Sequence, residues 1–257
     1  MSRYSLSADS LAKVENLRRR IVGALEQQAI PGWATATHYY DKNPDYVSYG
    51  LTAAKTHAVI RSFRESLKGL HLDERLYLAE ELFKAGIAEQ ASVGNHVLAI
   101  SNEYLGPEHV EYLDRCVGQF HGWGTTDGFC VYVLQPILLR HRDAVLRLLE
   151  KWNRSDNLWK RRASVVAFTR KAGTSGEYVD DVLRLCENLI WDEEDLVQKG
   201  VGWALKDNLR GAKGKVVAYV KDLRARGVPS TITLYAIRDL KGQKREEVLA
   251  VRGKRAR

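Results

Sequence analysis

A tryptophan stands on the charged face of one predicted helix. Drawn as an α-helix, the stretch VQKGVGWALKDNLR (residues 197–210) has one apolar stripe, made of Val197, Val201, Ala204 and Leu205. Trp203 lies on another face, where its neighbours one or two turns away are Lys199, Lys206 and Arg210. An aromatic ring flanked by cations is typical of a surface that stacks on the sugars or bases of a nucleic acid. The alternative is that Trp203 packs against a neighbouring repeat.

An arginine stands inside the apolar stripe of a second predicted helix, DNLWKRRASVVAFTRKAG (156–173). The apolar residues around Arg162 are Leu158, Val165 and Val166. Arginine keeps its charge, so its burial without an anionic partner is severely unfavourable. We therefore expect a carboxylate or a phosphate to meet Arg162. In the same stretch Trp159 adjoins Lys160 and Arg161, and its indole either packs or contacts a phosphate.

A carboxylate precedes a long apolar run in HGWGTTDGFCVYVLQPILL (121–139). If this helix begins at Thr125 or earlier, Trp123 and Asp127 stand one turn apart. One interpretation of Asp127 is a first-turn carboxylate that the helix dipole favours. The other is an ion pair with Arg162, one repeat further along the chain, which would account for both residues.

The elements that must position these residues are helical almost throughout. Amphipathic periodicity predicts helices near 9–29, 51–69, 74–87, 89–102, 108–119, 124–134, 143–153, 157–172, 177–190, 194–209, 212–226 and 230–241. Helix pairs recur at intervals of roughly 33–36 residues, as in an α-solenoid. The predicted fold is therefore all-α, an α–α superhelix of HEAT-like repeats with a concave basic groove. We expect one domain over 1–257, with an N-terminal helix (1–45) and a basic C-terminal tail (242–257).

Composition narrows the class of protein. The 257 residues carry a net charge of +8, which suits a polyanionic partner, nucleic acid before an anionic membrane. An ordinary basic cytosolic protein accounts for the charge equally well. No apolar run is long enough to span a membrane, and the N-terminus lacks the apolar core of a secretory signal. Three cysteines without a CxxC pair and scattered histidines indicate buried thiols and no metal or other cofactor. We expect a cytoplasmic monomer without a membrane.

Three segments together resemble one family. WGTTD (123–127), NLWKRRA (157–163) and VQKGVGWALK (197–206) look like the successive signature segments of the AlkD-like DNA alkylation repair family, and the resemblance covers about 48–241. Those proteins are DNA glycosylases built from HEAT-like repeats. The resemblance implies removal of cationic alkylated bases, chiefly 3-methyladenine and 7-methylguanine, from duplex DNA gripped in the concave groove. It also implies catalysis without the base pocket that most glycosylases use.

The resemblance implies a role for each signature residue. Trp123 and Trp203 would cradle the sugar of the lesion. Asp127 would stabilise the oxocarbenium-like charge at C1′ and position water, and Arg162 would hold Asp127 and a phosphate. We expect further DNA contacts from Lys199, Lys206, Arg161, Trp159 and Arg210.

Differences from the family pattern leave other interpretations of the sequence open. Gly124 and Gly128 would loosen the first turn of the helix that carries Asp127. The choice of a groove-lining tyrosine stays open among Tyr39, Tyr40, Tyr46 and Tyr49. The alternatives to an enzyme are a non-catalytic nucleic-acid-binding repeat protein and a protein-interaction scaffold. Asp127 beside Arg162 favours the enzyme, since binding alone would not place a carboxylate beside phosphates.

Overall fold

The fold is all-α, as predicted. A computed structural model describes residues 4–30 and 46–251 of the chain. In these ranges the one pairing of extended backbone is a single bridge between Val47 and Ile87. No helix within them has the length and apolar character to cross a membrane. Nor do three or more His, Cys, Asp or Glu side chains in these ranges come together as a metal ion would require.

The helices group into two compact units, one ending at His141 and one beginning at Arg142. The first unit contains α1 (Ala8–Glu26), α2 (Ala53–Ser62), α3 (Arg64–Lys68), α4 (Leu72–Lys84), α5 (Ala88–Ala99), α6 (Val110–Val117), α7 (Trp123–Phe129) and α8 (Gln135–Arg140). The second contains α9 (Arg142–Asn153), α10 (Leu158–Val166), α11 (Arg170–Ser175), α12 (Val179–Glu187), α13 (Asp195–Gly211), α14 (Lys213–Ala225), α15 (Ser230–Ala236) and α16 (Gln243–Ala250). Two 3-10 turns, Asn102–Tyr104 and Pro107–His109, precede α6, and a π-helical segment, Cys130–Leu134, joins α7 to α8.

Within each unit, helices that follow one another pack together, α4 on α5 and α9 on α10. This is the helix-pair packing of an α–α repeat fold. The single domain and the concave groove stay predictions.

The basic C-terminal tail is helical over part of its length. It contains α16, in which Val248 is buried. The carbonyls of Leu249, in α16, and of Val251, directly after it, accept hydrogen bonds from the guanidinium of Arg224. Residues 252–257 of that tail lie outside the described residues, as do Tyr39 and Tyr40.

Three phenylalanines fasten α7 to the core of the first unit. The ring centroids of Phe83 and Phe120 are 5.1 Å apart, those of Phe120 and Phe129 are 5.3 Å apart, and both pairs meet edge to face. Such aromatic pairs stabilise a core beyond the area they bury. Because Phe129 is the last residue of α7 and is fully buried, one face of this helix is fixed against the core and the opposite face is turned outward.

The π-helical segment after α7 ends two residues before Pro136. Pro136 has no N–H, so it cannot donate to the carbonyl of Tyr132 as a helix would require. The Nδ2 of Asn102 donates to that carbonyl instead, at 2.7 Å. The sequence predicts one helix over 124–134, whereas α7, the widened turn and α8 continue together to Arg140.

One glycine lets a neighbouring helix approach α13 closely. A Cβ on Gly202 would lie 2.7 Å from the Cβ of Tyr235 on α15, closer than real side chains come. A Cβ on Gly200 would lie 3.4 Å from the Cγ of Arg162 on α10, an ordinary van der Waals contact. The glycine directly before Trp203 is therefore a requirement of helix packing.

The helix predicted over 157–172 is in fact two helices. Arg170, which begins α11, has a φ of 49°, and it is the only non-glycine residue in the described ranges with a positive φ. Asp207 and Asn208 of α13 stabilise the break. The Asp207 carboxylate accepts the Arg170 N–H at 2.6 Å, and Asn208 Nδ2 donates to the carbonyl of Phe168 at 3.0 Å. The prediction failed because these partners come from another helix.

Candidate functional site

The outward face of α7 carries two of the predicted catalytic residues. The helix begins at Trp123, so Trp123 and Asp127 do stand one turn apart. Trp123 is 39% exposed, and Asp127 is partly exposed. The inward face consists of Thr125, Thr126 and Phe129, all buried. An indole and a carboxylate thus share one accessible face of a helix whose other face is fixed in the core.

Asn95 of α5 sets the position of α7. It is buried, and its Nδ2 donates to the carbonyl of Thr125 at 3.0 Å. A Cβ on Gly128 would lie 3.1 Å from that nitrogen, so glycine leaves room for the amide. Gly124 faces open space. The sequence suggests that these glycines loosen the helix, but Gly128 has a packing role that helps to fix it.

Trp203 lines a pocket of about 550 Å³ in the second unit. It is half-buried on α13 and directly follows the closely packed Gly202. The charged residues of the pocket lining are Arg170, Lys206, Asp207, Arg210 and Arg238. Trp203 thus lies in one pocket with Lys206 and Arg210 of the predicted group, but not with Lys199, and two further arginines line it.

Ion pairs decide which of these cations are accessible. Lys206 Nζ lies 2.8 Å from Asp207 Oδ1 and 3.6 Å from Asp239 Oδ2, and 10% of its side chain is exposed. Arg210 Nη2 lies 3.4 Å from Asp239 Oδ2, but 62% of its side chain is exposed. Lys206 is therefore largely engaged by carboxylates, whereas Arg210 presents much of its surface to solvent.

Sequence reasoning missed Arg170 and Arg238. The Arg170 guanidinium lies 5.6 Å from the ring centroid of Trp203, and that of Arg238 lies 4.6 Å from the ring centroid of Tyr235. With Lys206 and Arg210 they make four cations against the two carboxylates described above, which leaves an excess of positive charge. The helical spacing of Tyr235 and Arg238 is visible in the sequence, but the bend that brings Arg170 to Trp203 is not.

Arg162 is buried, as predicted, with 5% of its surface exposed. Its Nη1 donates to the carbonyl of Leu196, in the first turn of α13. Its aliphatic stem lies against Gly200. Arg162 belongs to the second unit and Asp127 to the first, and their pairing stays a prediction.

Three residues expected to contact DNA are engaged within the protein. Trp159 is 4% exposed, so the prediction that its indole contacts a phosphate is wrong. Arg161 binds Asp192 through Nε at 2.6 Å and Nη2 at 3.3 Å, and its Nη1 donates to two backbone carbonyls, of Ser155 and Asp156. These bonds hold Arg161, on α10, to the loop that precedes this helix and to Asp192. Lys199 Nζ pairs with Asp195 at 2.5 Å but remains partly exposed.

The cysteines are buried thiols, as predicted: Cys116, Cys130 and Cys186. Burial raises the pKa of the Cys116 thiol to about 12 and raises that of Cys186 further. A thiol with so high a pKa is not a nucleophile near neutral pH.

Comparisons with known proteins agree with the motifs. One solved structure similar to this chain is that of a predicted DNA alkylation repair enzyme from Enterococcus faecalis, with a TM-score of 0.70 and 16% sequence identity. The similarity covers 83% of this chain and 97% of that one, and at this identity it shows the fold alone. No curated protein matches the sequence significantly. The family model of the DNA alkylation repair enzymes matches residues 21–240. The chain therefore belongs to the DNA alkylation repair enzyme family.

Proposed function

We propose that this protein is a monofunctional DNA glycosylase that removes cationic N-alkylated purines, 3-methyladenine and 7-methylguanine, from duplex DNA. Membership of the DNA alkylation repair enzyme family supports a role in the repair of alkylated DNA. The observation that carries the finer proposal is on α7, where the accessible indole of Trp123 stands one turn before the carboxylate of Asp127.

The chemistry of the lesion makes one carboxylate sufficient. N-alkylation places a positive charge on the purine, so the base leaves as a neutral molecule and needs no general acid to protonate it. Positive charge instead develops at C1′ of the sugar. A carboxylate directed at that carbon, with aromatic faces beside it, stabilises the transition state electrostatically. Hydrolysis by paired carboxylates would require a second acid for the leaving group.

The reaction consumes one water molecule. The bond between C1′ and the base nitrogen breaks, and its electron pair neutralises the charge on the base. The oxygen of water, positioned by Asp127, bonds to C1′ and loses a proton to solvent. The products are the free base and an abasic sugar. In this proposal Trp123 and Trp203 contact the sugar, and Arg162 contacts a phosphate and Asp127.

The pocket around Trp203 supports duplex DNA as the substrate. Its excess of positive charge suits a phosphodiester backbone, and the aromatic rings beneath Arg170 and Arg238 suit a deoxyribose. The sequence predicts two of the pocket's cations, Lys206 and Arg210. Of these two, Arg210 has the larger exposed fraction of its side chain, 62%.

The test is release of free bases from methylated duplex DNA, measured by chromatography. Asp127→Asn should lower the rate by about tenfold or more, because it removes a main electrostatic stabiliser, and should leave DNA binding intact or slightly tighter. The matched control is Asp143→Asn, which removes an exposed carboxylate in the first turn of α9. We expect the control to release bases at the wild-type rate.

The outcomes separate three classes of protein. Equal release by wild type and Asp127→Asn would remove Asp127 from the mechanism. No release by the wild type, with duplex DNA still bound, would favour a non-catalytic nucleic-acid-binding protein. Neither release nor salt-sensitive binding would favour a protein-interaction scaffold.

A further inference from the structure

A second basic cleft lies in the first unit, where α2 and α5 meet the Gly124 and Gly128 side of α7. Its basic residues come from α2, α3 and α5, to which the sequence analysis assigns no role. It consists of a pocket of about 550 Å³ and an adjoining one of about 270 Å³ that share Arg61 and His96. His57 lines the larger pocket, and Arg64 and Lys68 line the smaller. We call this the Arg61 cleft.

The basic residues of the Arg61 cleft follow a helical spacing. His57, Arg61, Arg64 and Lys68 occur at i, i+4, i+7 and i+11 along α2 and α3. This spacing places them on one face, so they form a continuous basic stripe. His96 faces that stripe from α5.

The cations of the Arg61 cleft have fewer carboxylate partners than those around Trp203. In the described parts of the chain, no carboxylate is paired with His57, Arg61 or Arg64. The one acidic partner in the stripe is Glu65, whose carboxylate lies 3.4 Å from Lys68 Nζ and is itself 85% exposed. Unpaired cations that line a cleft attract a polyanion and exchange bound counterions for its phosphates.

A buried acceptor also faces the Arg61 cleft without a protein partner. Asn95 lines the cleft, and its Oδ1 is buried with no hydrogen-bond donor among the described residues. Its Nδ2 is engaged by the carbonyl of Thr125, which fixes the orientation of the amide. A buried acceptor of this kind requires a donor, and because a sugar-phosphate backbone has none, that donor would be a water molecule between the amide and the backbone.

His96 is poised to change its charge when an anion binds. Burial, and then the positive charges of His57 and Arg64, lower its pKa in the free protein. The other charged or titratable groups on the elements around it are Arg61, Lys68, Arg75, whose Nη1 donates to the carbonyl of Ile100, and Tyr132. A phosphate beside these groups would offset the repulsion and favour the imidazolium.

We propose that the Arg61 cleft binds the sugar-phosphate backbone of duplex DNA and that His96 takes up a proton when it does. The inference rests on the proposed function for its choice of duplex DNA as the ligand. It adds a phosphate-binding site that lies beside Gly124 and Gly128 of α7, and it makes DNA affinity dependent on pH.

The test uses undamaged duplex DNA and the full chain, with binding followed by fluorescence anisotropy over a range of salt concentrations. Arg61→Ala should weaken binding about fivefold or more and should lower the slope of log K against log salt concentration by about one. Arg64→Ala is a second variant with the same expected result. The matched control is Lys55→Ala, which removes an exposed charge from the same helix but away from the stripe. Its affinity should stay within about twofold of the wild type.

Proton uptake by His96 is tested with the variant His96→Gln. Wild-type protein should bind duplex DNA more tightly at about pH 6 than at about pH 8, the range in which histidine titrates. The variant should match the wild type at the higher pH and lose the gain at the lower. An unchanged pH dependence in His96→Gln would overturn the proton uptake.

The experiments test the binding site and the glycosylase activity independently. Identical losses in Arg61→Ala and Lys55→Ala would overturn the cleft as a phosphate site, whatever the outcome of base release. The cleft would also be overturned as a DNA site if Arg61→Ala lost binding to vesicles of anionic phospholipid but bound duplex DNA as the wild type does. Arg61-dependent binding without any release of bases would retain the site and overturn the glycosylase.

Discussion

Replacing Arg170 with glycine should separate stability from DNA binding. Arg170 has a φ of 49°, a conformation that costs a residue with a Cβ about 1–2 kcal/mol. Glycine adopts it without that cost. Glycine also has more freedom in the unfolded chain, which offsets about 0.5–1 kcal/mol of the gain. The net expectation for Arg170→Gly is a free energy of unfolding equal to the wild type or higher by about 1 kcal/mol.

The adjacent residue provides the matched control. Lys171 is exposed, carries the same charge and has a negative φ within α11. Lys171→Gly should therefore lose about 1 kcal/mol, the usual cost of glycine inside a helix. The two variants should differ by about 1–2 kcal/mol, and each kcal/mol corresponds to a shift of about 2–4 °C in Tm for a protein of this size.

DNA affinity should change in the opposite direction. Arg170→Gly removes the guanidinium beside Trp203, so binding of duplex DNA should weaken about fivefold and the salt dependence should fall by about one counterion. Lys171 does not line the pocket, and Lys171→Gly should bind as the wild type does. Calorimetry and fluorescence anisotropy on the two variants give both quantities. If Arg170→Gly is the less stable of the two, or binds DNA as tightly as Lys171→Gly, then the strain at Arg170 does not serve the pocket.

Two further predictions follow from burial. Trp159→Ala should lower the free energy of unfolding by about 3–5 kcal/mol in a urea titration, because its indole is in the core, whereas Trp123→Ala should cost under about 1 kcal/mol yet reduce base release about tenfold. Equal losses of stability in the two variants would contradict this assignment. The Cys116 thiol, with a pKa raised to about 12, becomes a thiolate only at a pH above that of any ordinary assay. Native protein at about pH 8 should thus react with iodoacetamide at Cys116 only as fast as it unfolds, and rapid labelling seen by mass spectrometry would refute the burial.

The sequence predicts the helices well because their signal is local. Periodicity placed α1, α4 and α13 within a few residues of their observed bounds. The errors occur where another helix changes the outcome. The break before Arg170 depends on Asp207 and Asn208, which are about 37 residues away in the chain and leave no local pattern.

The candidate site was predicted less completely, for a related reason. The spacing of Trp123 and Asp127 is a property of one helix, and the sequence predicts that these residues stand one turn apart, as they do. Whether a cation is accessible depends on its ion pairs, which the chain sequence does not specify. Arg161 and Arg210 look alike in the sequence, yet Arg161 is engaged by Asp192 and two carbonyls whereas Arg210 is largely exposed.

The net charge of +8 therefore says less about DNA binding than its distribution does. Lys206 is close to Asp207 and Asp239, so its charge is largely compensated at short range and contributes little to long-range attraction. Arg61 and Arg64 have no such partner in the described residues, so their charge is available to a phosphate. The pocket around Trp203 has carboxylate partners for part of its charge and an aromatic ring beside Arg170, which suits recognition of one sugar. The Arg61 cleft, with fewer carboxylates, suits sequence-independent attachment to the backbone. Mutations in the cleft should accordingly change affinity for all duplexes alike, and mutations at Trp203 should change base release more than affinity.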